Sequence, residues 1–250
     1  AGAFKVLTDA HCIVGAAMTE LGRELEREVR AGGASLGAVE ALTRSRAPER
    51  IWAGTPKGLY DCTVDTCALV PESAGLEVAE LLEGEGPNGP CLWVGTNLDG
   101  LYRFDHSGAG LVRSDFHLGR DEGLPNDAVR ALAEFGREAG KPVLWIGSGR
   151  GLARLAGDRL VQYGIAQGFP QGAVTSLAVR IDRAGEPVML ATTYGGGLVE
   201  LDAQGEYRVL TQRDGLSDPF AWSLLVTGRD ADAVTWIGSA SAGVLRLEPG

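Results

Sequence analysis

Ile51-Trp52-Ala53-Gly54-Thr55 is a phrase that returns along this chain, and its return decides the fold. It comes back as Leu92-Trp93-Val94-Gly95-Thr96, Leu144-Trp145-Ile146-Gly147-Ser148 and Thr235-Trp236-Ile237-Gly238-Ser239, with a worn copy at Met189-Leu190-Ala191-Thr192-Thr193. The aligned positions 52, 93, 145, 190 and 236 lie 41, 52, 45 and 46 residues apart. A period of this size carried by strand-like segments is the signature of a β-propeller, in which each repeat is one four-stranded antiparallel blade.

Working outward from the worn copy gives a whole blade. Ala173–Leu177 reads as a first strand, Val188–Thr192 as a second, Leu198–Leu201 as a third and Tyr207–Thr211 as a fourth. Asp182–Gly185, Gly195–Gly197 and Asp202–Gly205 are the turns between them, and short β-branched runs so punctuated make a meander. First strands recur at Val78–Leu81, Val129–Leu132 and Trp222–Leu225; third strands at Gly58–Tyr60, Gly100–Phe104, Gly151–Leu155 and Gly243–Leu247. The tryptophan of the phrase is expected to pack between neighbouring blades, and the glycine to admit a close neighbour.

Phe4-Lys5-Val6-Leu7-Thr8 matches the fourth strand Tyr207-Arg208-Val209-Leu210-Thr211 in chemical type at every position. It is therefore expected to supply the strand that the last blade lacks, closing a single five-bladed propeller over residues 1–250. Two segments, Ala17–Leu21 and Ala38–Leu42, both resemble a first strand. Between them Leu21, Leu25 and Val29 recur at helical spacing before Gly32-Gly33, which suggests a partly helical insertion at about 22–48 in the first blade. Such a helix buries its apolar stripe on its own domain or on a partner, and the first is favoured.

Composition narrows the function. The chain has 33 acidic against 23 basic residues, a net charge of −10 and no basic run, which argues against a nucleic-acid partner. No stretch approaches 18 consecutive apolar residues, so no membrane span is expected within it, and residues 1–4 do not read as a signal peptide. Cys12, Cys62, Cys67 and Cys91 form no CxxC pair, and His11, His106 and His117 are the only histidines, so no metal and no cofactor is expected. Cys62 and Cys67 can face each other across a hairpin in an oxidising compartment.

The blades also resemble a known family, the two-component regulator propeller repeat. The likeness rests on Leu92–Thr96 followed by Gly100-Leu101-Tyr102-Arg103-Phe104-Asp105, and on the turn Asp121-Glu122-Gly123-Leu124-Pro125-Asn126-Asp127-Ala128-Val129. Gln167–Pro170 and Asp214–Ser217 are further copies of that turn. The resemblance implies an extracytoplasmic (periplasmic) sensor domain of a bacterial two-component or diguanylate cyclase signalling protein. It implies a small-molecule or oligosaccharide ligand and a fused or separate output module. Family propellers usually carry seven blades, two more than are read here.

No catalytic constellation, P-loop or HExxH stands out. In a four-strand meander the turn between strands two and three lies on the same face as the connection into the next blade. That face collects Lys57, Asn97, Asp99, Asn126, Asp127, Arg150, Gln171, Tyr194 and Asp218 as candidate ligand-binding residues. The competing reading takes each as a turn former. A hydrolase or lyase acting on carbohydrate, or a protein-interaction scaffold, are the alternatives to a sensor. Two carboxylates with a histidine would favour the enzyme, and an exposed apolar patch the scaffold.

Overall fold

The computed structural model describes residues 38–247 except 48–49, 64, 109, 183 and 229–232. The fold is all-β: nineteen strands and three short 3-10 turns, with no α-helix among the described residues. The chain divides into two compact units, Ala1–His117 and Leu118–Gly250.

The first unit holds two antiparallel meanders. One is β1 (Ala41–Arg44), β2 (Ile51–Thr55), β3 (Gly58–Cys62) and β4 (Cys67–Leu69); the other is β5 (Val78–Gly86), β6 (Gly89–Thr96), β7 (Leu101–Ser107) and β8 (Gly110–Leu118). The second unit holds three. They are β9 (Val129–Glu138), β10 (Lys141–Ser148), β11 (Gly151–Ala156) and β12 (Arg159–Tyr163); β13 (Val174–Ile181), β14 (Pro187–Thr193), β15 (Gly197–Leu201) and β16 (Tyr207–Leu210); and β17 (Ala221–Thr227), β18 (Val234–Ser239) and β19 (Val244–Leu247). Each sheet keeps its strands in chain order, as a propeller blade does.

The first strand of the first sheet is Ala41–Arg44, paired with Thr43 opposite Trp52 and Leu42 opposite Ala53. That settles which copy is the strand, and it corrects the span given to the insertion, since a first strand lies inside 22–48. Ala41 is buried against the sheet, and that burial outweighs the loop-like Arg and Ser residues around it. Residues 22–37 and the closing strand expected at 4–8 lie outside the described residues.

The recurring phrase is buried end to end in β2, and from Leu92 to Thr96 in β6, because a second strand is covered on both faces. In β2 and β10 its tryptophan packs between sheets of one unit, whereas Trp236 in the last sheet is 37% exposed. Trp52 joins Val78 and Leu81 of β5 in one core cluster, and its indole N–H donates to Glu83 Oε1 at 2.7 Å. Trp145 is fully buried with Met189, Ala191 and Val199 of the next sheet, and its N–H donates to the carbonyl of Phe135 at 3.0 Å. Directly across the strand pair, Arg154 lies over the Trp145 ring at 5.9 Å, and Arg246 over Trp236 at the same distance. In the worn copy Leu190 stands in for tryptophan, and the residue opposite changes sign to Glu200, which pairs with Arg180 at 2.8 Å.

The glycine sets how closely sheets stack. A Cβ at Gly54 would sit 2.5 Å from Val78 Cγ1, and one at Gly147 would sit 2.8 Å from Val174 Cγ1. Both are contacts real side chains do not make. Gly147→Ala is therefore expected to cost about 1–3 kcal/mol through overpacking, several degrees of melting temperature in a chain of this size. Adding Val174→Ala removes the obstructing methyl, so the double variant should lose about 1 kcal/mol less than the sum of the singles. Strict additivity in chemical denaturation would mean that the contact does not set the spacing.

Candidate functional site

The end of each sheet where strand two turns into strand three is built by one repeated device. The hydroxyl closing the phrase donates to the carbonyl of the glycine just beyond the turn: Thr55 to Gly58 at 3.0 Å, Thr96 to Gly100 at 2.9 Å, Ser148 to Gly151 at 3.0 Å, Thr193 to Gly197 at 2.8 Å and Ser239 to Gly243 at 3.2 Å. The same hydroxyl accepts a turn N–H from Lys57, Asp99, Arg150 and Ala242 in four of the five. This is why the phrase ends in Thr or Ser: the hydroxyl ties the two ends of the tight turn together beside the backbone ladder.

A second repeated bond joins that turn to the chain entering the same sheet. The N–H groups of Asn97, Gly149, Tyr194 and Ala240 donate to the carbonyls of Glu77, Ala128, Ala173 and Phe220 at 2.9–3.0 Å. In the first sheet Pro56 follows Thr55 and has no N–H to give. The expected meeting of turn and connection therefore exists in both units.

Lys57, Asn97 and Asp99 stand on the turns of the first unit; Asn126, Asp127, Arg150, Gln171, Tyr194 and Asp218 stand at the corresponding end of the second. Several are engaged locally. Asp99 accepts from the Tyr102 hydroxyl, and His117 stacks on Tyr102 at 4.8 Å while its Nε2 meets the Asp99 carbonyl at 2.9 Å. Arg113 covers the Tyr102 ring at 4.1 Å. Burial and the Asp99 carboxylate push the Tyr102 phenol up to about 12. Asn126 Oδ1 accepts the Ala128 N–H at 3.1 Å, and Asp127 Oδ1 accepts the Arg120 N–H at 2.7 Å. Lys57, Arg150 and Gln171 are exposed at their turns.

Tyr194 belongs to a surface that the sequence reading did not contain. Its ring lies 5.0 Å from Phe220 and 5.5 Å from Trp222, and the three are 45%, 40% and 41% exposed. In sequence Trp222 reads as an ordinary member of a first strand, Trp222–Leu225. The ladder shows otherwise: Ala221 pairs with Ser239 and Ser223 with Gly238, so Trp222 is skipped. Ala79, Arg130 and Thr175 are skipped at the same place in their sheets. A bulge leaves its extra residue unpaired and re-aims its side chain. That fourfold bulge, legible only in the register, puts the strand's tryptophan on the surface.

Asp218, by contrast, is only 4% exposed. Its Oδ1 accepts the Phe220 N–H at 2.9 Å; its Oδ2 accepts the Ser241 N–H at 3.0 Å and the Ser241 hydroxyl at 2.6 Å. The Ser241 hydroxyl first, then the Phe220 N–H, hold its carboxyl below the usual range.

For catalysis the histidine contacts are sparse. Among the described residues Asp99 lies beside His117 and Glu83 beside His106. No group of three or more His, Cys, Asp or Glu side chains is placed to hold a metal among the described residues. Cys62 and Cys67 are joined by a disulfide across the β3–β4 hairpin, and Cys91 is buried outside it.

Among solved structures the chain is similar to the extracellular domain of the proposed one-component system BT4673 of B. thetaiotaomicron. The identity is 18% and the TM-score 0.57, over 84% of this chain and 27% of that one. A second structure from BT4673, there described as a hybrid two-component system, matches at 17% identity and TM-score 0.54, over 83% and 26%. PorZ, a surface component of the type-IX secretion system of Porphyromonas gingivalis, matches at 16% identity and TM-score 0.59, over 85% and 32%. The fold is shared with these proteins. At such identities the likeness establishes the fold alone, and the chain spans between 26% and 32% of the structures' length. No family model matches the sequence, and no curated protein does.

Glu80 is the remaining titratable oddity. Its register counterparts are Ala41, Ala131, Ser176 and Ser223, all small. Desolvation pushes its carboxyl up to about 8, against a lowering by the Leu81 N–H. The unfolded chain releases this proton near pH 4.3. Between there and pH 8 the folded chain holds the extra proton, so stability is full below that window and falls as pH rises through it. Glu80→Gln is expected to flatten that decline and raise the melting temperature at pH 8 while changing little at pH 4. An unchanged slope from pH 4 to 8 would show that Glu80 is ionised at neutral pH in the folded chain.

Proposed function

We propose that this chain is a ligand-sensing module of an extracytoplasmic signalling protein, and that it acts by binding rather than by catalysis. A small molecule or oligosaccharide docks at the turn end of the second unit, and a fused or separate output module reads the occupancy. The observation that carries the reading is the exposed Tyr194–Phe220–Trp222 surface. Each of the three side chains keeps 40–45% of its surface in water, leaving unrealised a little under half of the about 1.5–3 kcal/mol that full burial of a large apolar side chain is worth. They are positioned to recover it when the flat CH-bearing face of a ligand ring stacks on them. Gln171, on the connection into β13, supplies polar character at the same end.

Three independent features support the cellular setting. The blade motifs resemble the two-component regulator propeller repeat. The fold is shared with the extracellular domains of BT4673, named as a one-component and as a hybrid two-component system. The Cys62–Cys67 disulfide belongs to an oxidising compartment. An exposed aromatic patch also suits a protein-interaction scaffold, which is the second reading.

A thermal-shift screen with sugars and small metabolites tests the proposal. A ligand held at about a hundred times its Kd adds roughly 2.7 kcal/mol to the native state. Trp222→Ala should abolish that shift, read against the variant's own unliganded melting temperature, which the lost contact with Tyr194 is expected to lower. An undiminished shift in Trp222→Ala would remove the site. Turnover of a glycan, with no shift from any compound, would replace the sensor by an enzyme.

A further inference from the structure

Asp218 occupies the position that Asn126 and Gln171 hold in the two preceding connections, two residues before the last residue of each. Asn126 makes only a turn bond with its Oδ1, to the N–H two residues on. Asp218 makes the same bond with Oδ1 and adds a second engagement, because Oδ2 grips both the N–H and the hydroxyl of Ser241 in the β18–β19 turn. The segment it anchors is tied on a further side: the Pro219 carbonyl accepts the N–H groups of Gly195 and Gly197 at 3.1 and 3.2 Å. Tyr194 and Phe220 form an isolated antiparallel bridge beneath their stacked rings. Asp218-Pro219-Phe220 is thus the junction of two turns, and every ring of the aromatic surface is on it, bridged to it or two residues beyond it.

We infer that Asp218 is a positioning residue: its buried carboxylate clamps the Phe220 segment to the β18–β19 turn and so fixes the presentation of the Tyr194, Phe220 and Trp222 faces. This rests on the proposed binding role for its consequence, though not for its geometry. The groups that meet the carboxylate are N–H and hydroxyl donors, from Ser241 and Phe220 and, further off, the Ser239 hydroxyl. A carboxylate is the side chain that accepts from all of them at once. The turn bond is within the reach of asparagine, as Asn126 demonstrates; the bond from the Ser241 N–H together with the turn bond is not, because the second terminal atom of asparagine is a donor that can meet the Ser241 hydroxyl but not its N–H.

Asp218→Asn therefore separates the clamp from the turn. The full chain labelled with 5-fluorotryptophan gives one fluorine resonance for each of its five tryptophans, and Trp222→Phe assigns the one that matters. In Asp218→Asn the Trp222 resonance is expected to shift or broaden while those of Trp52 and Trp145 stay in place. Acrylamide quenching of the Trp222 signal should rise about twofold. A Trp222 resonance unchanged in Asp218→Asn overturns the inference. If all five resonances collapse together, Ser241→Ala decides: it removes one of the three bonds, and a shift confined to Trp222 upholds the clamp whereas no shift overturns it. The readout needs no ligand. A clamp that passes this test while no compound raises the melting temperature would remove the sensing proposal alone, and a ligand shift lost in Trp222→Ala but with the resonance unmoved in Asp218→Asn would remove the clamp alone.

Discussion

The stacking of β1–β4 on β5–β8 and of β9–β12 on β13–β16 depends on one close approach, between the glycine of the second strand and the valine that opens the first strand of the next sheet. At Gly54 against Val78, and at Gly147 against Val174, there is no room for a single extra carbon. The approach lets the flanking tryptophan lie flat between sheets, as Trp52 and Trp145 do, burying large aromatic surfaces. The hydroxyl that ends each second strand closes every turn in the same way, Thr193 included, which follows Thr192 rather than a glycine. Packing and turn geometry are thus written into five consecutive residues.

The same economy frees the turn end to vary. The hydroxyl bond is made in every turn, and the bond into the preceding connection in every sheet but the first, where Pro56 stands; the turn side chains differ from sheet to sheet. Lys57, Asn97, Arg150 and Tyr194 occupy comparable places with different chemistry. The bulge beside them behaves likewise, holding Ala79, Arg130, Thr175 and Trp222 in turn. A scaffold with fixed frame and variable rim is the arrangement in which binding residues collect. In the second unit the rim positions have become aromatic together, and Asp218 ties them to the frame.

Sequence alone was enough for the sheets because their code is local. In the worn repeat, strands read at Val188–Thr192, Leu198–Leu201 and Tyr207–Thr211 coincide with β14, β15 and β16 to within a residue or so. The first strand of the first sheet was ambiguous, since Ala17–Leu21 and Ala38–Leu42 have the same pattern, and only pairing with Ile51–Thr55 distinguishes them. The candidate site was half legible. Topology pointed to the turn end of each sheet and to Tyr194, but it gave Asn126 and Asp218 no distinct roles. Phe220 and Trp222 were hidden, because a one-residue bulge inverts which face a strand residue occupies and leaves no mark in composition. Repeat alignment holds the signal after the fact: an aromatic residue stands where other sheets carry Ala, Arg and Thr.

The binding of a ligand to the aromatic rim is the central claim, and hydrogen exchange on the intact chain measures it most directly. With a compound found by thermal shift, amide protection should rise in residues 193–197 and 215–222 and in the 239–243 turn that Asp218 holds, with the β9–β12 and β5–β8 sheets unchanged. Protection that rises instead in the 97–100 turn around Asp99 and Tyr102, or along the outer strands β12 and β16, would contradict it and place the ligand elsewhere.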